Sequence, residues 1–212
     1  GNAPMKTDAI FRLASMTKPV TSLAIMMLAE EGKIQIAYPV SRYLPEFKDL
    51  KVGLEVKDGS GTVNLTTEPA KREMTVQDLL RHTSGLTYGV FGQSEVKKLY
   101  NAANPLDVNQ TNAEMVTKLS KIPLQLQPGT TWEYSMSTDV LARIVEVASG
   151  MDFDQYVATK VAKPLKMSDS GFWVEKAKQG RIAAPPKGVN LPDVTNKPKR
   201  FSGGGGMVGT AA

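Results

Sequence analysis

The sequence predicts an α+β fold on three observations. Apolar strand patterns sit near the two ends of the chain and in one hairpin, a largely helical stretch fills the middle, and no β-α-β alternation runs through it. The last point argues against a parallel doubly wound sheet. With 212 residues, 41% of them hydrophobic, the chain can bury a sizeable core. It reads as one unit, 1–212, in three stretches. Residues of about 14–50 hold a helix and its following segment, about 51–170 are mostly helical with a hairpin, and about 171–212 return toward the sheet.

The elements follow in order. Ala9-Ile10-Phe11-Arg12-Leu13-Ala14 is a short apolar stretch suited to a strand. The best helical pattern then runs from about Met16 to Glu31. Val20, Leu23, Ala24, Met27 and Leu28 fall at i, i+3, i+4, i+7 and i+8, and Gly32 supplies the stop. Pro19 is tolerable near the first turn, where little helical hydrogen bonding is lost, and so fixes the helix start close to Ser15. Leu50 to Leu65 reads as a hairpin, with Val52, Leu54 and Val56 alternating, Asp58-Gly59-Ser60-Gly61 turning, and Val63 and Leu65 returning. Thr75 and Asp78 resemble a capping box opening a short helix to Arg81. Further helices are expected over Asn112–Lys121, over Ser137–Ala148 with Gly150 after it, and over Asp152–Ala162 before Pro164. Phe172-Trp173-Val174 reads as a strand, and the proline-rich stretch from Pro185 to Pro198 as a long surface loop.

Composition removes several function classes. The net charge of +5 comes from dispersed lysines and arginines with no basic run or aromatic interleaving, which argues against a nucleic-acid partner. No window has the uncharged apolar length of a membrane span. Zero cysteines exclude disulfides and thiol catalysis, and a single histidine, His82, excludes a multi-histidine metal site. Gly204-Gly205-Gly206-Met207-Val208-Gly209 formally fits a dinucleotide fingerprint. No buried strand precedes it and no acidic ribose partner follows, so a glycine turn into a strand or helix is expected and no cofactor. The first eight residues show no signal-peptide pattern, and the chain opens almost directly into a strand and stops mid-pattern, as expected of a fragment. The compartment, cytoplasmic or periplasmic, stays open, as does the oligomeric state.

The chemistry starts at Ser15-Met16-Thr17-Lys18. At a helix start, positions i and i+3 share a face, which sets a lysine beside a serine hydroxyl that is a poor nucleophile without such help. The pattern recurs at Ser94-Glu95-Val96-Lys97, where no apolar strand precedes it and a solvated serine is expected. Tyr134, in Pro128-Gly129-Thr130-Thr131-Trp132-Glu133-Tyr134-Ser135-Met136, could supply a phenol whose charged form a nearby lysine favours; read alone it could equally be a half-buried tyrosine before a helix. His82 is the sole candidate for a Ser-His-acid triad. No Gly-x-Ser-x-Gly elbow accompanies it, and a hydrogen-bonded structural histidine is the expected reading.

Six segments together resemble the serine β-lactamase and penicillin-binding protein superfamily, and within it the class C β-lactamase-like carboxylesterases called family VIII. They are Phe11 to Pro19, Gly32 to Ile34 leading into Pro39 to Pro45, Leu79 to Leu86, Pro128 to Ser135, Pro164 to Met167, and Ser202 to Val208, in family order across nearly the whole chain. The resemblance implies a β-lactamase/D-peptidase-like fold, with an antiparallel sheet flanked by helices beside a largely helical region, incomplete in this chain. It implies Ser15 as acylated nucleophile, Lys18 as its activator, Tyr134 as general base, the Ser15 backbone N–H as one oxyanion donor, and His82 as structural. Tyr88 to Ser94 would form part of a pocket wall, with Tyr88, Phe91, Gln93 and Met136 as candidate substrate contacts. Relatives often carry Tyr-x-Asn; Met136 replaces that amide, which favours esters over β-lactams. The expected function is hydrolysis of short-chain carboxylic esters, with β-lactamase or D-amino-acid peptidase activity, or a non-catalytic binding or assembly module, as alternatives. The third family motif, which would supply a second oxyanion donor, is expected beyond Ala212.

Overall fold

The computed structural model describes residues 4–211. Its centre is helix α5, Ser137–Ser149, which is buried from Ser137 to Ala142 and again at Ile144 and Val145. A helix covered on nearly every side must lie inside a layer of others. Here α1 (Thr17–Glu30), α2 (Val76–Leu80), α4 (Asn112–Leu119) and α6 (Phe153–Tyr156) all pack against it. Gly150, at φ +70°, closes α5 in the left-handed conformation that glycine adopts without strain. Full burial of each Val, Leu or Ile along this helix contributes about 1.5–3 kcal/mol.

Helix α1 begins after a tight 3₁₀ turn at Ala14–Met16, close to the expected start. Its buried face differs from the periodicity. Thr17, Thr21, Ala24, Ile25 and Leu28 are buried, whereas Leu23 is 44% exposed. Ala24, Ile25 and Leu28 join the main apolar core. Thr17 and Thr21 instead face the 203–207 segment. Thr17 Oγ1 accepts the Met207 N–H at 3.0 Å, and Thr21 Oγ1 donates to the Gly203 carbonyl at 2.8 Å. Hydrogen bonding lets these hydroxyls be buried at little cost, and apolar periodicity cannot register it.

The strands form two antiparallel ribbons. β1 (Phe11–Arg12) pairs with β4 (Val208–Gly209), Phe11 opposite Gly209 and Arg12 opposite Val208. β2 (Lys51–Lys57) and β3 (Val63–Pro69) form the hairpin, four residues longer than its predicted return at Leu65. Its base is anchored by Gly53 N–H donating to Leu124 O at 2.9 Å and by buried Val52, and Leu65 packs on the core, while Leu54 and Val56 are exposed.

Two further expectations change. Phe172-Trp173-Val174 is not a strand: the chain bends at Phe172 and Trp173, and pairing is confined to a point on either side. Gly171 bridges Val208, and the Val174 N–H donates to Val194 O at 2.7 Å. Phe172 enters the main core between Phe153 and Phe201, whose ring centroids lie 5.4 and 5.5 Å away. A helix not anticipated, α3 (Glu95–Ala103), starts at Ser94 and buries Val96 and Tyr100. The expected helix over Asp152–Ala162 is α6 followed by a π-helical stretch, Val157–Ala162. The stretch from Pro185 to Pro198 is free of helix and strand, as expected of a loop.

Candidate active site

The chain reaches the site through a sharp corner. Leu13 N–H donates to Met207 O at 2.8 Å, holding the end of β1, and Ala14 then takes φ +46°. A non-glycine residue in that region is strained, and such strain concentrates at functional turns. The corner directs the chain into the 3₁₀ turn, where residues three apart nearly eclipse. Ser15 and Lys18 are therefore side by side, and Lys18 Nζ donates to Ser15 Oγ at 3.2 Å. Lys18 Nζ also donates to the Gly204 carbonyl at 2.6 Å, which fixes the long side chain from the far side.

Tyr134 arrives from 119 residues away. Gly129, at φ +83°, turns the chain where a Cβ would overlap the Arg72 guanidinium. The following segment is tied to the end of α2: Gly129 N–H donates to Thr83 O at 2.7 Å and Glu133 N–H to His82 O at 2.9 Å. These bonds set Tyr134 Oη 2.6 Å from Ser15 Oγ, with Lys18 Nζ 4.7 Å from the tyrosine ring centroid. Partial burial works to raise the phenol's pKa. Hydrogen bonding with Lys18 and Ser15, and the Lys18 charge, outweigh it, so the phenol lies below its ordinary value. The hydroxyl thus sits between an ammonium and an acidified phenol.

Of the expected pocket residues, Tyr88 and Phe91 lie beside this trio, with ring centroids 5.2 and 6.0 Å from that of Tyr134. Burial, then the Asp139 charge, push the Tyr88 phenol strongly upward, so it is a neutral wall rather than a base. Gln93 is exposed on the same loop. Met136 is placed elsewhere than expected: it is fully buried in the main core at the foot of α5, so its side chain does not face the opening. His82 lies behind Tyr134, ring centroids 5.2 Å apart, with Nδ1 bonded to Ser135 and not to Ser15. The Gly204 region is a turn at 203–205 leading into β4, as expected.

Sequence reasoning missed what stands behind Lys18. Arg200 and Asp139, both buried, pair at 2.9 Å, and Ser202 Oγ donates to the same Asp139 oxygen at 2.6 Å. Gly204 lies against the other oxygen, where a Cβ would overlap Asp139 Oδ2. This network shapes the loop that presents the Gly204 carbonyl to Lys18. A run of four glycines beside an arginine was its available signal. A cavity of about 380 Å3 opens here, lined by Ala14, Tyr88, Gly204, Leu106, Leu191 and Met207 among others. Another, of about 420 Å3, surrounds Asp154, Trp173 and Lys197; Ser15, Lys18 and Tyr134 line neither, and the first adjoins them through Ala14, Tyr88 and Gly204. Among the described residues no cluster of His, Asp and Glu could hold a metal ion, and no helix is long and apolar enough to cross a membrane.

A serine between a lysine and a tyrosine, at the head of a helix that packs on a second helix, defines a candidate serine-acylation site. The chain belongs to the Beta-lactamase family, whose model matches residues 1–212. It is 34% identical over 235 residues to esterase EstB of Burkholderia gladioli, across 98% of this chain and 56% of that protein. An uncharacterized protein of Mycobacterium tuberculosis is 35% identical over 217 residues, across 98% and 52%. The solved structure of EstCE1, described as a hydrolase with promiscuous acyltransferase activity, matches with a TM-score of 0.76 at 26% identity, over 98% of this chain and 57% of that one. Simvastatin synthase LovD from Aspergillus terreus matches at 0.73 and 25%, over 98% and 52%. The fold is therefore the β-lactamase-like α+β fold expected from the sequence, and the chain spans about half the length of the curated relatives it matches.

Proposed function

We propose that the protein is a serine hydrolase that cleaves short-chain carboxylic esters through an acyl-enzyme on Ser15. The observation that carries this is the 2.6 Å contact between Ser15 Oγ and Tyr134 Oη, with Lys18 donating to the same serine oxygen. Tyr134, as phenolate, takes the Ser15 proton while Oγ bonds to the ester carbonyl carbon. Collapse of the tetrahedral intermediate breaks the carbon–alkoxide bond, and Tyr134 returns the proton to the leaving oxygen. Water then repeats the sequence and frees the acid. Such positioned proton transfer contributes about 10²–10⁴-fold. The backbone N–H of Ser15 is the proposed oxyanion donor. Met136 is buried in the core and faces no substrate, so the preference for esters over β-lactams is supported instead by the esterases among the relatives.

A fluorophosphonate probe on the full-length protein, followed by peptide mapping, is expected to label Ser15; label elsewhere, or none, would sink the mechanism. Hydrolysis of p-nitrophenyl butyrate is expected to exceed that of a chromogenic cephalosporin, and the reverse order would return the β-lactam reading. A second reading, passage of the acyl group to an alcohol instead of water, is favoured by the names of several relatives, among them the acyltransferase of Penicillium decumbens, 32% identical over 170 residues. Ester formation in the presence of added alcohol would establish it.

A further inference from the structure

His82 holds both neighbours of Tyr134. Its carbonyl accepts the Glu133 N–H at 2.9 Å, and its ring Nδ1 meets the Ser135 N–H at 3.3 Å and Ser135 Oγ at 3.2 Å. A backbone N–H can only donate, so Nδ1 must be a bare acceptor. The hydroxyls behind it agree. Leu86 N–H donates to Ser84 Oγ, Ser84 Oγ lies 2.8 Å from Ser137 Oγ, and Ser137 Oγ lies 2.7 Å from Ser135 Oγ, which also accepts the Ser137 N–H. With Nδ1 an acceptor, the Ser135 hydroxyl is free to donate to it, and the Ser137 and Ser84 hydroxyls can follow in the same direction. The arrangement fits a neutral imidazole with its proton on Nε2.

Resting on the serine-hydrolase reading, we propose that neutral His82 is the positioning residue for Tyr134, and that a proton taken up on its ring frees the Tyr134 segment. Protonation would set an N–H against the Ser135 N–H and end that bond, and the Ser135 hydroxyl would have to turn round to accept. The charged groups around the ring are few. Lys18 faces it from α1 and Asp139 from α5, with the Tyr134 phenol between. On its own side, Asp78 is tied to Arg72 and Arg81, and Glu133 to Lys97. Burial, then the Lys18 charge, hold the imidazole below its ordinary pKa against the opposing pull of Asp139, so the neutral form dominates near neutrality. As pH falls through the lowered value, activity is lost through His82 in addition to Tyr134.

The test is a pH profile of kcat/KM on the full-length protein from about pH 4.5 to 8, alongside NMR of the histidine side chains, with His82 assigned from the resonance missing in His82→Asn. Asparagine tolerates the positive φ of +57° found at this position and offers an oxygen where Nδ1 lies, without titrating. The wild-type profile is expected to steepen from one proton to two at the midpoint of the His82 titration, with ring ¹⁵N shifts reporting a proton on Nε2. His82→Ala is expected to lower kcat about tenfold or more with little change in KM, since a displacement near 1 Å can cost ~100-fold. His82→Asn should recover most of that loss and keep a single-proton slope. Persistence of the second slope in His82→Asn, or no second slope in the wild type, would overturn the proposal. Should both variants fail to fold, a proton on Nδ1 in the wild type would overturn it as well. Failure of Ser15 to react with fluorophosphonate would instead remove the hydrolase reading, and the tautomer would still decide whether His82 holds the Tyr134 segment.

Discussion

The chain carries the Ser-x-x-Lys pattern twice at helix starts, and the two copies do different things. Ser94 is extended, at φ −163°, and is the N-cap of α3: its Oγ accepts the Lys97 N–H at 3.0 Å and donates to Gln125 Oε1 at 2.6 Å. Lys97 then leaves its serine and pairs with Glu133 at 2.9 Å. Ser15 lies one residue past the strained Ala14 corner, already inside the turn, so its side chain cannot fold back as a cap. Its Oγ projects outward to Lys18 and Tyr134 instead. Backbone conformation at the serine, and not the tetrapeptide, separates a helix cap from a candidate nucleophile.

The largest effect should come from breaking the first copy. Ser15→Ala in the full-length protein is expected to remove fluorophosphonate labelling and to lower ester hydrolysis by at least about 10⁴-fold. Tyr134→Phe keeps the aromatic wall and removes the proton acceptor, with an expected loss of about 10²–10⁴-fold in kcat. Lys18→Met sharpens the same point through pH. Lys18 helps hold the phenol below its ordinary value, so without it the phenolate forms at higher pH and the rising limb of kcat/KM should move upward. A limb that stays in place would remove Tyr134 as the base.

How much of this was legible follows from what the sequence can carry. The seam from Ser15 to Tyr134 was readable because a strand–turn–helix pattern and Pro19 fix one side and the Pro128-Gly129 turn before a strong helix fixes the other. Helix α5 was readable from Val140, Leu141, Ile144 and Val145 alone. The second seam of α1 was not, because Thr17 and Thr21 are buried through backbone partners some 180–190 residues later in the chain. Asp139 and Arg200 were likewise invisible as a pair, since burial of charge shows only once both ends are in place. Helix α3 was not legible because Gly89 and Gly92 precede a serine that reads as solvated, although Val96, Leu99, Tyr100 and Ala103 carry the helical spacing.

A smaller effect is expected where the two seams meet. Gly204→Ala would press a methyl against Asp139 and crowd the Tyr88 hydroxyl, and small-to-large changes in packed sites cost about 1–3 kcal/mol. The loop must shift, and the Gly204 carbonyl with it, so Lys18 loses its second anchor. The expected result is a fall of several degrees in Tm together with a kcat loss of roughly tenfold, below that of Tyr134→Phe. Unchanged kcat with lowered Tm would show that the carbonyl holds the loop and not the lysine.

The smallest effect tests the second copy directly. Ser94→Ala removes the acceptor for the Lys97 N–H and should destabilise the protein by about 1 kcal/mol, while Ser94→Asp, which can still cap, should cost much less. Lys97 sits mostly inside the structure, 14% exposed, against a Glu133 that is 23% exposed, so Lys97→Met should cost about as much as the cap or less. Neither change touches the Ser15 contacts, so fluorophosphonate labelling should proceed within about twofold of the wild-type rate while denaturant midpoints fall. Glu133 precedes Tyr134, and this gives the comparison its sharpest edge. A Lys97 variant that slows labelling by more than that would show that the capping copy also steadies the catalytic one, through the single residue between them.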